Sequence, residues 1–146
     1  MNGNPAEREA VLVQKVGTAN STPLVSSYVS AKNVEQIMGL LLTGDMASET
    51  IDFAIYQATD TSGSNAKVLK AITQLAASAT ANDNAIVKIG ATCDELDVAN
   101  SFSCVAVRAV TGGATGGTVG MCIIGSPVRY GPASVIEPAT VLQTKI

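Results

Sequence analysis

The chain has 146 residues, nine Lys and Arg against twelve Asp and Glu, a formal net charge of −3, and only 14% charged residues. This length fits one domain, and a weakly acidic chain without a run of basic residues is a poor match for a dedicated nucleic-acid binder. Histidine and tryptophan are absent and only three Tyr and two Phe are present, which excludes sites built on a histidine base and disfavours aromatic stacking platforms.

The first 16 residues are predicted to form an N-terminal arm and the first strand, ahead of a single β-sandwich domain over residues 17–146. Asn4-Pro5-Ala6-Glu7 has the pattern of a capped helix start and predicts one helical turn. Acidic residues precede the first apolar run, which is the wrong order for a secretory signal. No apolar stretch reaches the roughly 18 residues of a membrane helix. We therefore expect synthesis in the cytoplasm and no membrane partner.

Short β-type segments separated by turn-forming clusters follow in chain order, which is typical of an all-β sandwich or barrel. In Thr50–Gln57 the residues Ile51, Phe53 and Ile55 alternate with less apolar ones, so we predict that they share one face of a strand. Further strands are predicted at Val11–Val16, Leu24–Ser30, Val34–Leu42, Lys67–Gln74, Ala85–Thr92 and Ala139–Thr144. Together these segments predict an all-β, antiparallel β-sandwich of jelly-roll-like type with a flexible N-terminal arm.

The stretch Ala66–Ala79 fits two interpretations. Val68, Ile72, Leu75 and Ala79 are spaced by four, three and four residues, which suits one face of a helix. The Thr-rich neighbourhood suits a strand instead, and we favour the strand.

Two further strands, Phe102–Val110 and Thr118–Gly125, flank the glycine-rich sequence TGGATGG and are predicted to form an antiparallel hairpin. The glycine-rich sequence lacks the Lys-Ser/Thr of a P-loop and does not fit G-x-G-x-x-G. We interpret it as a flexible hairpin tip that is suited to contact a neighbouring subunit.

Three cysteines, Cys93, Cys104 and Cys122, are an odd number without C-x-x-C spacing. They are predicted to be small buried hydrophobic residues in a reducing compartment, with a Cys93–Cys104 disulfide as the alternative. The nearby acidic residues Asp94, Glu95 and Asp97 lack the spacing of a calcium loop. We interpret them as a solvated loop or a subunit contact, and we predict no metal ion and no cofactor.

Arg129-Tyr130-Gly131-Pro132 follows an apolar segment and allows two interpretations. Arg129 and Tyr130 could cover an open end of the sandwich while Gly131-Pro132 turns the chain. Alternatively they form an intersubunit contact, since Tyr and Arg are enriched at interface hot spots.

Four segments in succession resemble small structural proteins encoded in the head regions of tailed phages and prophages. They are VLVQKVGTANSTPLVSSYVSAKNVEQIMGLLLTGDM, TIDFAIYQATDTSGSNAKVLKAITQL, ANDNAIVKIGATCDELDVANSFSCVAVRAV and GMCIIGSPVRYGPAS. In that group a FAIYQATD-like strand is followed by a polar loop, an AITQL-like strand, an ELD-containing segment and an RYGP-like turn. The resemblance extends over about residues 10–135.

The resemblance implies a virion protein of the capsid decoration (cement) type, without enzymatic activity. Such a protein binds the outer surface of an icosahedral capsid and clamps neighbouring major capsid subunits, often as a homotrimer. Two alternatives stay open. One is a tail or head–tail connector component, and the other is a carbohydrate-binding β-sandwich, which the lack of Trp disfavours.

Eight residues are candidate contacts with the capsid lattice or a neighbouring subunit. The first-ranked surface is the arm, which could be free in the isolated protein and add a strand to a capsid-protein edge on binding. The glycine-rich tip and the turn after residue 128 rank below it. The candidates are Glu7, Arg8, Val11, Val13, Gly113, Thr115, Arg129 and Tyr130.

Overall fold

The computed structural model describes residues 4–129, 133 and 136–141. Within them a short helix, α1 (Pro5–Arg8), precedes nine strands. The strands are β1 (Ala10–Ala19), β2 (Leu24–Val25), β3 (Val29–Ser30), β4 (Val34–Thr43), β5 (Ile51–Ala58), β6 (Lys67–Ala71), β7 (Ile86–Thr92), β8 (Cys104–Thr111) and β9 (Gly117–Val128). Two 3-10 helices, Cys93–Glu95 and Val98–Asn100, lie between β7 and β8. None of these helices has the length and apolar character needed to cross a bilayer.

The strands form two sheets that pack as a sandwich. One sheet has the strand order β1-β9-β4-β7, and the other has the order β2-β8-β5-β6, with β3 also paired to β8. All of these pairings are antiparallel. When β2 and β3 are counted as one interrupted strand, the strand order is that of a jelly roll. The predicted all-β, antiparallel sandwich is therefore confirmed.

The core lies between the two sheets and follows the alternation of the strands. Ile51, Phe53 and Ile55 of β5 are at most 1% exposed, whereas the residues between them are partly exposed on the outer face. Across the core, Gly39 of β4 allows close approach, because a Cβ atom at this position would lie 3.1 Å from Cγ1 of Ile55. The prediction that one face of β5 is buried is confirmed.

The predicted β8–β9 hairpin is wrong, because these strands lie in different sheets. β8 pairs with β5 from Ile51↔Thr111 to Ala58↔Cys104, and β9 pairs with β1 and β4. Both strands are central in their sheets, so their inner residues Val107 and Ile123 are fully buried. The glycine-rich loop between them therefore crosses from one sheet to the other.

The N-terminal segment is more ordered than predicted. β1 is hydrogen-bonded to β9 along its length, from Ala10↔Gly125 to Ala19↔Gly117, and Leu12 is 5% exposed. Burial of its apolar side chains fixes this strand to the sandwich. The predicted first strand at Val11–Val16 is therefore present within β1, and residues 10–16 belong to the sandwich and not to an arm that is free before binding. The predicted helical turn is present as α1, with Oδ1 of Asn4 accepting from the Ala6 N–H at 3.1 Å.

Two other segments differ from the predicted strands. Leu24–Ser30 is divided into β2 and β3, because the Oγ atom of the buried Ser26 accepts from the Val107 N–H at 3.0 Å in place of a backbone carbonyl. Residues 139–141 form no strand, and residues 142–144 lie outside the described residues. In the ambiguous stretch Ala66–Ala79, the favoured strand is present as β6.

Candidate protein-contact surface

The contact residues predicted from sequence lie at opposite ends of the sandwich. The β1–β9 register places Ala10 beside Gly125 and Ala19 beside Gly117. Glu7, Arg8 and Arg129 therefore lie at one end, and the loop with Gly113 and Thr115 lies at the other. These candidates cannot form one continuous surface.

The loop at Gly113 and Thr115 is held by a single carboxylate. Glu49 accepts hydrogen bonds from the Thr111 hydroxyl at 2.6 Å and from the backbone N–H groups of Gly113, Thr115 and Gly116 at 3.1–3.2 Å. The Thr111 hydrogen bond, followed by those from the backbone, lowers the pKa of Glu49 below its ordinary value. The expectation of a flexible tip is wrong, because four donors fix the loop to the β4–β5 connection.

The remaining candidates differ in their availability. Val13 is 6% exposed and packs in the core, so its side chain is not free for a contact. Glu7 and Arg129 are exposed, Arg8 is partly exposed, and the Arg129 N–H donates to the Asn33 carbonyl at 2.7 Å. Tyr130 lies outside the described residues.

Val11 belongs to a larger surface that the sequence analysis did not identify. One part of the outer face of the β1-β9-β4-β7 sheet carries apolar side chains on all four strands, and we call it the apolar face; beside it Gln36, Ser126 and Thr92 form a polar row. Its apolar side chains are Val11, Val16, Met38, Leu40, Leu42, Ile86, Cys122 and Ile124.

The apolar face consists of three cross-strand rows, each running in the order β1, β9, β4, β7. The first row is Val16–Gly120–Leu42–Ile86, the second is Gln14–Cys122–Leu40–Lys88, and the third is Val11–Ile124–Met38–Gly90. Leu42 is 47% exposed, and Val16 and Ile86 are 66% and 70% exposed. Soluble monomers rarely expose contiguous apolar surface of this kind, and such patches mark interaction sites.

A sequence signal for this face was available. The runs IMGLLL in β4 and MCII in β9 place apolar residues at successive positions, so both faces of each strand are apolar. A sheet with one solvated face normally alternates apolar and polar residues, whereas a sheet covered on both faces has continuous apolar runs. These two strands therefore have the composition of a sheet that is covered on both sides.

A shallow depression of about 550 Å³ is present at the third row. Its lining is mixed, because the apolar side chains of Met38 and Ile124 and the open Gly90 lie beside polar and ionic residues. These are Gln36, Thr92, Ser126, Glu9, Lys70 and Glu95. A Cβ atom built at Gly90 would have no neighbour within 4 Å. The depression therefore offers a bound partner both apolar and charged contacts.

Charged groups are sparse on the apolar face, where Lys88 is the one ionic residue in the three rows. Two of the three acidic residues after β7 form ion pairs: Glu95 lies 3.0 Å from Nζ of Lys70, and Asp97 is paired with Lys67. Among the described residues, no group of three or more Cys, Asp or Glu side chains is arranged to hold a metal ion. Glu95 and Asp97 are therefore partners in ion pairs at the surface.

The three cysteines are free thiols, so the alternative of a Cys93–Cys104 disulfide is not realised. Cys104 is buried, and Cys93 and Cys122 are partly buried. Burial raises the pKa of both Cys93 and Cys122, which favours the unreactive thiol over the thiolate.

A second, more polar surface lies on the outer face of the opposite sheet. Nη1 of Arg108 donates to the Tyr56 hydroxyl at 2.6 Å, and its guanidinium carbon lies 5.3 Å from the Tyr56 ring centroid. Tyr28 lies nearby, and burial followed by the charge of Tyr56 raises its pKa. Its ring packs on Gly63, where a Cβ atom would approach Cε2 to 2.7 Å.

Comparison with solved structures finds only low-scoring similarities at low sequence identity. No protein-family model matches the chain, and no curated protein does. A disulfide-linked pilus protein of Bacillus endospore appendages has a TM-score of 0.44 at 12% identity, over 87% of this chain and 97% of that one. The CBM22-2 xylan-binding domain of Paenibacillus barcinonensis Xyn10C has a TM-score of 0.41 at 12% identity, over 81% and 98%.

A structure of infectious bursal disease virus, Gt strain, has a TM-score of 0.39 at 10% identity, over 90% of this chain and 37% of that one. At these scores and identities, none of these similarities supports an assignment of activity or partner. The chain is a β-sandwich whose function has to be argued from its own surface.

Proposed function

We propose that this chain is a virion structural protein of the capsid decoration type, which binds a capsid lattice and has no catalytic role. The apolar face is the observation that carries the assembly part of this proposal, because an exposed face with this composition suits a protein that works in contact with another protein. The resemblance to phage head-region proteins supports the virion setting. Many modest contacts repeated over a shell then supply the binding strength.

The end of the sandwich that carries α1 is the proposed lattice contact. Glu7, Arg8 and Arg129 lie there with exposed or partly exposed side chains. α1 buries none of its residues, so it can be engaged by a partner without disturbing the core. The proposed contact is therefore the α1 segment, while β1 stays in its sheet.

Co-sedimentation tests the proposed role. Purified chain is mixed with capsids that lack it, produced from the same genome, and the bound fraction is measured at increasing concentrations. We expect saturable binding with a copy number of the order of hundreds per particle, as symmetric decoration requires. Absence of binding, or saturation at a few copies, contradicts a decoration role. Saturation at about six to a few dozen copies supports the connector alternative instead.

Deletion of residues 2–9 locates the contact. We expect this variant to lose capsid binding while it keeps the far-UV circular dichroism spectrum of the sandwich, because the deletion ends before β1. Full binding by the deletion variant refutes the α1 segment as the contact. The matched control is Val98→Ala, which changes a 67% exposed residue in a 3-10 helix.

Carbohydrate binding is the second candidate, and the Tyr28–Tyr56–Arg108 surface is the observation that favours it. Aromatic rings and a planar cation on an exposed sheet face are suited to sugar contacts. A glycan array tests this candidate directly. Binding that is lost in Tyr56→Ala supports it, and the absence of binding to every glycan refutes it.

A further inference from the structure

We propose that the apolar face binds the same face of a second copy of this chain, so that two copies form a two-fold symmetric dimer. Strands about 4.8 Å apart and a rise of about 3.3 Å per residue give the three rows, which span five residues of β9, β4 and β7, a face of roughly 19 by 17 Å. Covering it on both copies buries on the order of 650 Å² of projected area, which is the size of a weak, reversible contact. This inference concerns the chain in solution and does not depend on the virion role.

The rows of the face are complementary to themselves. Two identical sheets pack face to face when the two-fold axis lies in the plane between them. An axis parallel to the strands sets β1 against β7 of the second copy and β9 against β4. Because strand positions along the axis are unchanged, each row meets the same row of the other copy.

This arrangement places large side chains over glycines. In the first row, Leu42 faces Gly120 of the second copy and Val16 faces Ile86. In the third row, Val11 faces Gly90, whose position opens into the depression at that row. The partners in each row follow from the strand register. Two of the six facing pairs are therefore large-to-small, the pairing that fills space without voids. Val16 with Ile86, and Met38 with Ile124, place two large side chains together.

The position of Lys88 distinguishes an axis parallel to the strands from an in-plane axis perpendicular to them. With the axis parallel to the strands, Lys88 faces the uncharged Gln14 of the second copy. With the axis perpendicular to the strands, β7 lies against β7, and Lys88 in the middle row meets its own counterpart. Like charges facing each other across an apolar interface are unfavourable, so the charges favour the parallel axis.

The proposed dimer differs from the trimer that the resemblance implies. A threefold assembly joins two different surfaces of each copy, whereas a twofold assembly joins a surface to itself. The apolar face has the self-matching rows of a twofold contact. The axis parallel to the strands also leaves the α1 ends of both copies pointing in the same direction, which is compatible with a common lattice contact.

Sedimentation equilibrium of the purified full chain, run over a range of concentrations, tests the dimer. We expect a monomer–dimer equilibrium, with a dissociation constant raised at least about 30-fold by Leu42→Lys or Ile86→Lys. Each variant has a control of similar exposure outside the face: Val68→Lys matches Leu42 (48% and 47% exposed), and Val98→Lys matches Ile86 (67% and 70%). The controls should leave the equilibrium unchanged, and circular dichroism verifies that all variants are folded.

A charge exchange tests the direction of the axis. Gln14→Lys should weaken the dimer, because the new lysine faces Lys88 of the second copy. Adding Lys88→Glu to the same chain should restore the dimer, since each copy then presents a lysine opposite a glutamate. With the perpendicular axis the double variant would still place like charges together twice, as Gln14→Lys alone does, so a dimer that the second substitution does not restore would overturn the proposed geometry.

A chain that stays monomeric at all concentrations, forms trimers, or dimerises equally well with Leu42→Lys overturns the proposal. These outcomes are separable from those of capsid binding. A monomeric chain that still coats capsids refutes only the dimer, and a dimeric chain that binds no capsid refutes only the decoration role.

Discussion

The substitution Leu12→Ala tests whether β1 is a structural strand or part of a free arm. Leu12 is 5% exposed, and its Cδ1 would lie 3.0 Å from a Cβ atom at Gly125 of β9. Removing a buried leucine side chain costs about 2–5 kcal/mol. We expect about 3 kcal/mol, because an edge strand can relax into part of the cavity. For a domain of this size that lowers the melting temperature by roughly 6–12 °C.

Urea denaturation followed by circular dichroism at 222 nm, with a thermal melt in parallel, measures this loss. Thr18→Ala is the matched control, because Thr18 lies in the same strand and its side chain is not buried in the core. Its free energy of unfolding should stay within about 0.5 kcal/mol of the unchanged chain. If Leu12→Ala has no larger effect than this control, β1 is not docked and the N-terminal 16 residues are a free arm after all.

Three further predictions concern the loops and thiols. Because the folded pKa of Glu49 is lowered, its stabilising contribution is present above pH 4.5 and is lost as the pH falls through the folded pKa. Glu49→Gln should therefore destabilise the chain at pH 7, and the difference should shrink as the pH falls through the folded pKa; equal urea midpoints at pH 7 would contradict this. Gly116→Ala should lower the free energy of unfolding in urea by at least about 2 kcal/mol, since φ is +60° and a Cβ atom would lie 1.7 Å from the Ala19 carbonyl oxygen. The matched control is Gly90→Ala, which should be tolerated because that position is open. Cys122 should react slowly with a disulfide reagent at pH 7.5 until the chain is unfolded, because burial raises its thiol pKa; rapid reaction of the folded chain would contradict its burial.

Local patterns predicted the fold class and most strands. In β5 the alternation of Ile51, Phe53 and Ile55 with less apolar residues directly indicated which face is buried. The order of the strands was not accessible in this way, because pairing in a jelly roll joins segments distant in sequence, such as β1 with β9. The predicted β8–β9 hairpin was wrong because two strands that are adjacent in sequence were assumed to be adjacent in a sheet.

The candidate contacts were predicted less well than the fold. Glycine content suggested a flexible loop at 111–117, but the Glu49 carboxylate that fixes it lies over 60 residues away in sequence. Val13 was selected from an apolar run whose outward and inward positions shift at a bulge between Val11 and Val13. The apolar face required the register of four strands, although the continuous runs in β4 and β9 already indicated that both of their faces are covered.

A reconstruction of the particle produced by the same genome tests the central claim most directly, namely that this chain works as a structural protein whose apolar face is covered in its assembly. We expect repeated density for the sandwich on the outside of the shell, with Leu42 and Ile86 packed against protein and not facing solvent. Particles without such density, or with the sandwich bound while Leu42 and Ile86 face solvent, would contradict the account.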